Sequence, residues 1–103
     1  MAWAVAQIDE SGGQLSIEGL VARLGYSHKH VLRMFQRHVG TTPKLYAQLV
    51  RFERAVQAIR SQPVTRLAEL AQDTGYSDQA HLVREFRRLS GDTPSRLASS
   101  PRE

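Results

Sequence analysis

The chain writes nearly the same phrase twice, as GYSHKHVLRMFQRHVGTTP at residues 25–43 and GYSDQAHLVREFRRLSGDTP at residues 75–94. Gly25, Tyr26 and Ser27 align with Gly75, Tyr76 and Ser77. The register then shifts by one residue and holds from His30 on His81 through Phe35 on Phe86, Gly40 on Gly91 and Pro43 on Pro94. With 103 residues there is room for one compact domain, or for two very small subdomains sharing a connecting element. The duplication selects one folded unit built from two copies.

Apolar residues recur at three- and four-residue spacing nearly throughout, and neither β-branched runs nor strict alternation occurs, so the expected class is all-α. Glycine and proline punctuate the helices. AWAVAQIDES carries Trp3, Val5 and Ile8 on a short amphipathic helix that Gly12-Gly13 ends. Ser16 is a candidate cap for a helix bearing Ile17, Leu20, Val21 and Leu24, which Gly25 closes in a left-handed conformation. Ser27 caps the next segment, whose Val31, Phe35 and Val39 share a face before Gly40. Thr42-Pro43 opens the longest helix, running to about Arg60. Beyond Gln62-Pro63 the pattern repeats, with Thr65 as candidate cap and Gly75 as stop; Thr93-Pro94 opens a last turn through Leu97, and residues 98–103 read as a frayed tail. The expected organisation is a first helix-turn-helix subdomain over 1–42, a connector helix over 43–60 and a second helix-turn-helix subdomain over 61–103, about seven helices in all.

A helix, a short glycine-containing turn and a second helix form the helix-turn-helix layout, in which the second helix enters the DNA major groove. With Phe35 at the centre of the buried face and about 100° per residue, Lys29, Arg33, Gln36 and Arg37 point outward and Leu32 lies on the border. In the second copy Leu82, Phe86 and Leu89 are buried, Ala80, Arg84, Arg87 and Arg88 point outward, and Val83 is the border residue. Arginine bonds a guanine edge in bidentate fashion, glutamine reads adenine, and small apolar groups meet a thymine methyl. The candidate base readers are therefore His28, Lys29, Arg33 and Gln36 in the first copy, with Gln79 and Arg84, beside the mute Ala80 and Val83, in the second. The first set is richer in hydrogen-bonding groups, so the first half-site is expected to carry more sequence information. Candidate phosphate contacts are Ser27, Arg37, Thr42, Lys44, Ser77, Arg87, Arg88 and Thr93, at the flanks of the reading helices and at helix N-termini that attract anions. For Lys44 and Arg51 a merely solvated charge is an equal alternative.

The charge balance suits such a partner: 14 Lys and Arg against 10 Asp and Glu give a net charge of +4 and a pI near 10.1. A connector from Pro43 to about Arg60 is roughly 27 Å long at 1.5 Å per residue, against about 34 Å between major-groove segments on one DNA face. One monomer is thus expected to bind a bipartite, non-palindromic site in double-stranded promoter DNA.

At ARLGYSHKHVLRMFQRHVGTTP, YAQLVRFERA and LAQDTGYSDQAHLVREFRRLSGDTPSRL the sequence resembles the AraC/XylS family of bacterial transcription regulators, from about Ile17 to Leu97 together with the preceding helix. The resemblance implies a seven-helix, homeodomain-like domain of two helix-turn-helix subdomains on a long helix, which binds promoter DNA and activates or represses transcription. It puts base readers at Lys29, Leu32 and Arg33 and at Gln79, Ala80, Val83 and Arg84; Leu32, Ala80 and Val83 are apolar where members often carry polar readers. Most members place this domain behind an N-terminal effector-sensing or dimerising domain, which implies a segment of a longer regulator; a minority consist of the domain alone. An activator of this kind also touches RNA polymerase or its sigma factor.

Two other classes compete. An enzyme or metal protein would draw on the four histidines, but His28 and His30 do not share a helix face, and the absence of cysteine removes thiolate ligands, disulfides and cysteine nucleophiles together. No enzymatic activity and no cofactor are expected. A protein-interaction module, binding RNA polymerase or another protein with weak non-specific DNA affinity, would use Leu45, Leu49, Phe52, Val56 and Ile59 of the connector, but a stripe at that spacing is expected instead to form the shared core of the two subdomains. No apolar run approaches the roughly 18 residues that span a bilayer, and Met1 to Gly13 lacks signal-peptide character, so a cytoplasmic location is expected.

Overall fold

The computed structural model describes residues 1–63 and 66–99. Within them the chain forms seven helices and no strand: α1 (Ala2–Glu10), α2 (Ile17–Leu24), α3 (His28–Val39), α4 (Pro43–Ser61), α5 (Leu67–Asp73), α6 (Gln79–Ser90) and α7 (Pro94–Ser99). Along the chain one helix-turn-helix pair, α2–α3, precedes the long helix α4 and a second, α5–α6, follows it. The chain divides into two compact units, Met1–Val50 and Arg51 onward, so α4 contributes its first half to one and its second half to the other.

The first unit packs Ala4, Ile8, Leu20, Phe35 and Ala47 into one core. Tyr46 lays its ring edge-on to Phe35 at 5.8 Å and donates its hydroxyl hydrogen to Asp9 Oδ1 at 2.8 Å, which ties α4 to α1. The second unit builds its own core from Ala55, Ile59, Leu70, Ala71, Tyr76, Leu82 and Phe86, with Phe52 and Phe86 in ring contact at 4.8 Å. These two cores have no residue in common.

The expected caps on Ser16 and Ser27 form, with Ser16 Oγ accepting from the Gly19 amide and Ser27 Oγ from the His30 amide. Gly40 and Gly91 stop the two reading helices at φ of +89° and +77°, in the left-handed region that glycine enters without steric cost. Thr65, the expected cap of α5, lies outside the described residues; Arg66 takes the N-cap position, and its side chain caps no helix amide but reaches Glu69 Oε1 at 3.4 Å.

Three expectations fail. Trp3 is exposed because the buried row of α1 is set by Ala4 and Ile8, one turn apart; its ring instead receives the Arg23 guanidinium at 5.0 Å. Leu45 and Leu49 are exposed, since α4 turns Ala47 and Ala55 inward and the two leucines sit about 160° around the helix from Ala47. Residues 98 and 99 belong to α7, which carries the helix past Leu97; its first turn is capped by Thr93 Oγ1, which accepts from the Arg96 amide at 3.2 Å.

Candidate nucleic-acid interface

Each of α3 and α6 is held by a cap at its start, an aromatic anchor at its centre and a glycine at its end. The caps are Ser27 for α3 and Asp78 for α6, whose Oδ1 accepts from the His81 amide at 2.7 Å. Ser27 is therefore the helical counterpart of Asp78 rather than of Ser77, and between the aligned glycine and the cap the second copy contains one residue more than the first. That extra residue changes the tyrosine beside it: Tyr26 is 53% exposed and Tyr76 only 5%. Both still meet the histidine of the following helix, Tyr26 with His30 at 4.9 Å and Tyr76 with His81 at 5.1 Å. In the second turn the Ser77 amide also donates to His81 Nδ1 at 3.2 Å.

Counted from the caps, His28 matches Gln79, Lys29 matches Ala80, Leu32 matches Val83, Arg33 matches Arg84, Gln36 matches Arg87 and Arg37 matches Arg88. Lys29, Arg33 and Gln36 are exposed and Leu32 is half-buried at the edge of the same face; Ala80, Arg84 and Arg87 are exposed with Val83 at the corresponding edge. Arg87 thus shares a face with the candidate readers as Gln36 does, and not only with the flanking Arg88. His28 and Gln79 are exposed at the first helical position, yet each lies two turns before its buried phenylalanine, in line with the buried row. They belong to the tip of the helix, not to its outward face.

The candidate phosphate residues are spread over helix ends. Ser27, Arg37, Thr42, Lys44, Ser77, Arg87 and Arg88 are exposed, and Thr93 is half-buried. Thr42 Oγ1 accepts from the Leu45 amide at 3.1 Å, as Ser27 Oγ and Thr93 Oγ1 do at their own helices. In each case the hydroxyl proton is left to donate to an incoming oxygen acceptor. Among the described residues no ion pair holds Lys29, Arg33, Arg37, Arg84 or Arg87, and no group of three or more metal-ligating side chains forms. No helix among them is long and apolar enough to cross a membrane.

Helix α3 contains three Lys or Arg residues and no acid. Helix α6 contains Arg84, Arg87, Arg88 and one acid, Glu85. That carboxylate is turned inward and bound by Arg51 of α4 through two bonds, Nε to Oε2 at 3.1 Å and Nη2 to Oε1 at 2.7 Å, with side-chain exposures of 13% for Arg51 and 2% for Glu85. Burial opposes the Arg51 charge, but the Glu85 carboxylate outweighs it and holds the guanidinium pKa above its ordinary value. Arg88 reaches the same Oε1 at 3.6 Å from the exposed side. The Tyr76 ring stacks under Arg51 at 5.2 Å, and its buried hydroxyl meets no partner at hydrogen-bond geometry; burial first, then the Glu85 carboxylate, push the phenol well above its ordinary pKa. Arg51 is therefore neither a solvated charge nor a phosphate contact. The pair was hidden from the sequence because its members lie on different helices; the one trace of it was an acid within an otherwise basic reading helix. Met34 occupies the matching position of α3.

A helix-turn-helix domain model matches residues 20–100. The chain is 35% identical over 78 residues to the HTH-type transcriptional regulator GlxA of Rhizobium meliloti, covering 75% of the chain and 24% of that protein. It is 31% identical over 84 residues to the XylDLEGF operon transcriptional activator 2 of Pseudomonas putida, covering 79% of the chain and 53% of the activator. The chain thus spans between about a quarter and about half of these relatives. Among solved structures it resembles the DNA-binding domain of the global transcriptional factor AdpA in complex with a target DNA, at a TM-score of 0.85 and 25% identity over 95% of the chain and 88% of that domain.

Proposed function

The chain belongs to the AraC-type helix-turn-helix family of transcriptional regulators, and from that premise we propose that it binds promoter DNA sequence-specifically as a monomer, inserting α3 and α6 into successive major grooves to activate or repress transcription. The observation that carries this reading is the register match between two exposed reading faces, one of Lys29, Leu32, Arg33 and Gln36 and the other of Ala80, Val83, Arg84 and Arg87. Arg33 and Arg84 have the geometry for bidentate guanine contacts, Gln36 for adenine, and Leu32, Ala80 and Val83 for thymine methyls. His28 and Gln79 reach bases only from the helix tips. Ser27, Arg37, Thr42, Lys44, Ser77, Arg88 and Thr93 grip phosphates through hydroxyl protons, side-chain charges and the amides at helix starts. Helix α4, with 19 residues, is about 28 Å long at 1.5 Å per residue, close to the separation of groove segments on one side of the duplex.

Contact with RNA polymerase or its sigma factor is part of the proposal and is assigned to the exposed Leu45 and Leu49 of α4. An effector or dimerisation domain elsewhere in the same polypeptide is also part of it, supported by the greater length of the relatives.

Selection of binding sites from random duplex DNA, followed by affinity measurements on the best site at several salt concentrations, tests the reading. A site with two unequal elements about one helical turn apart is the expected result. Enrichment of a single short element contradicts the two-groove monomer, and no enrichment contradicts sequence-specific binding by this chain.

A further inference from the structure

We infer that Arg51 is a positioning residue for DNA binding by α6: by holding the Glu85 carboxylate in a buried bidentate pair, it keeps Arg88 available for the phosphate backbone. The inference rests on the proposed DNA-binding function and extends it to a residue that faces away from the reading surface.

A carboxylate on a DNA-reading helix has two costs. It repels phosphates, and it competes with them for the arginines around it. Helix α6 carries Glu85 among Arg84, Arg87 and Arg88, and at i,i+3 spacing Arg88 is its natural partner on the helix itself. The structure shows that competition under way, with Arg88 Nη2 at 3.6 Å from Oε1. It also shows why Arg88 does not capture the carboxylate. Arg51 occupies both oxygens at 3.1 and 2.7 Å from the interior side, in the planar fork arrangement that only arginine offers, and its cation is further held over the Tyr76 ring. The negative charge is neutralised below the surface, and Arg88 keeps a side chain that is 59% exposed. No such device is needed in α3, where Met34 stands in place of the acid.

If Arg51 is removed, the buried carboxylate has one arginine within reach on its own helix, and Arg88 folds onto it. The DNA complex then loses a phosphate contact. Each phosphate neutralised contributes about 0.9 to the slope of log affinity against log salt, so that slope reads the position of Arg88 directly.

The experiment measures affinity for the duplex selected by the wild-type chain, at four or more salt concentrations, for Arg51→Met, Arg51→Lys, Glu85→Gln and the double variant Arg51→Met/Glu85→Gln, with helix content and melting temperature recorded for each. A wild-type chain that selects no duplex overturns the underlying function, and this inference with it, before any variant is compared. Given a selected duplex, Arg51→Met is expected to bind about tenfold more weakly, with a salt slope shallower by about one. Glu85→Gln and the double variant, which lack the competing carboxylate, are expected to keep the wild-type slope even where they melt earlier. Arg51→Lys is expected to fall between, because a lysine holds the carboxylate as a single point charge. A purely structural role predicts that Arg51→Met and Glu85→Gln behave alike, with slopes equal to each other; that result overturns the inference. If Arg51→Met does not fold, Arg51→Lys against the double variant makes the same comparison, and equal slopes in those two overturn it equally.

Discussion

Phe35→Ala asks whether the two halves of the chain stand on separate cores. Phe35 is fully buried, at 0% exposure, between Leu20, Ile8 and the first half of α4, and the second core contains none of its partners. Its neighbours are held by helix backbones, so the space left by the ring closes only in part, and the substitution is expected to cost about 3–5 kcal/mol. A unit spanning Met1–Val50 has a total stability of roughly 2.5–7.5 kcal/mol by the usual per-residue figure, so the loss removes most or all of it. Amide hydrogen exchange resolved by peptide fragments is the assay. Protection in α2 and α3 is expected to fall by about two to nearly four orders of magnitude, or to the unprotected rate where that comes first. The amides of α5 and α6, which rest on Phe86 and Leu82, are expected to stay within about threefold of wild type. In the DNA selection, the same variant should enrich one element instead of two. Equal loss of protection in α5 and α6 would refute the reasoning, because it would make the whole chain one cooperative unit despite its two cores.

Other expectations follow from single contacts. Arg33→Ala should weaken binding to the selected duplex by about 1–3 kcal/mol and relax preference at one base pair, and more so than Arg84→Ala, whose neighbours Ala80 and Val83 offer bases no hydrogen bond; greater relaxation by Arg84→Ala contradicts the ranking of the two half-sites. Arg37→Ala should weaken binding to all duplexes alike and make the salt slope shallower by about 0.9; a change confined to one sequence contradicts its assignment to phosphate. Asp78→Ala removes the 2.7 Å bond to the His81 amide and should cost about 1–2 kcal/mol of stability, measured by denaturant midpoint, with no change showing that the cap is redundant. Tyr76→Phe deletes a buried hydroxyl that lies beside Glu85 and Arg51 but meets neither at hydrogen-bond geometry, so at neutral pH it should change stability little. Because the folded-state pKa of Tyr76 is raised above the unfolded value, the unfolded chain releases this proton first, and the wild type should lose stability relative to Tyr76→Phe as pH rises through about 10; parallel melting curves from pH 8 to 11 contradict this.

What was legible in the sequence is what depends on local chemistry. Ser16, Ser27, Gly40, Gly91, Pro43 and Pro94 place helix ends through hydrogen bonds and backbone preferences within a few residues, and all of them act where the pattern put them. The row Val31–Phe35 and the row Leu82–Phe86 were visible because a helix buried along one stripe writes its period into the chain. Helices α1 and α4 were harder, because a large side chain looks like core whichever way it points. Which face of α4 turns inward was decided by Ala47 and Ala55, whose small size lets a neighbouring helix approach, and hydrophobicity counts understate alanine. Trp3, Leu45 and Leu49 were misplaced for that one reason.

The same repeat that revealed the architecture concealed its main asymmetry. Aligning the two phrases at their glycines pairs Tyr26 with Tyr76 and Ser27 with Ser77, and suggests equal environments. Aligning them at their caps shows one additional residue between Gly75 and its cap Asp78, and the tyrosine that precedes it goes from exposed to buried. Once inside, the Tyr76 ring lies against the Arg51 guanidinium, which in turn binds Glu85. One inserted residue thus accompanies a polar interior network under α6, while α3 carries Met34 at the matching position and an outward Tyr26. A buried ion pair loses far more when one partner is removed than an apolar contact of similar area does. Random substitution should therefore find the pair of Arg51 on α4 and Glu85 on α6 intolerant of single changes but tolerant of apolar replacements made at both together, whereas α3 should accept most apolar residues at Met34.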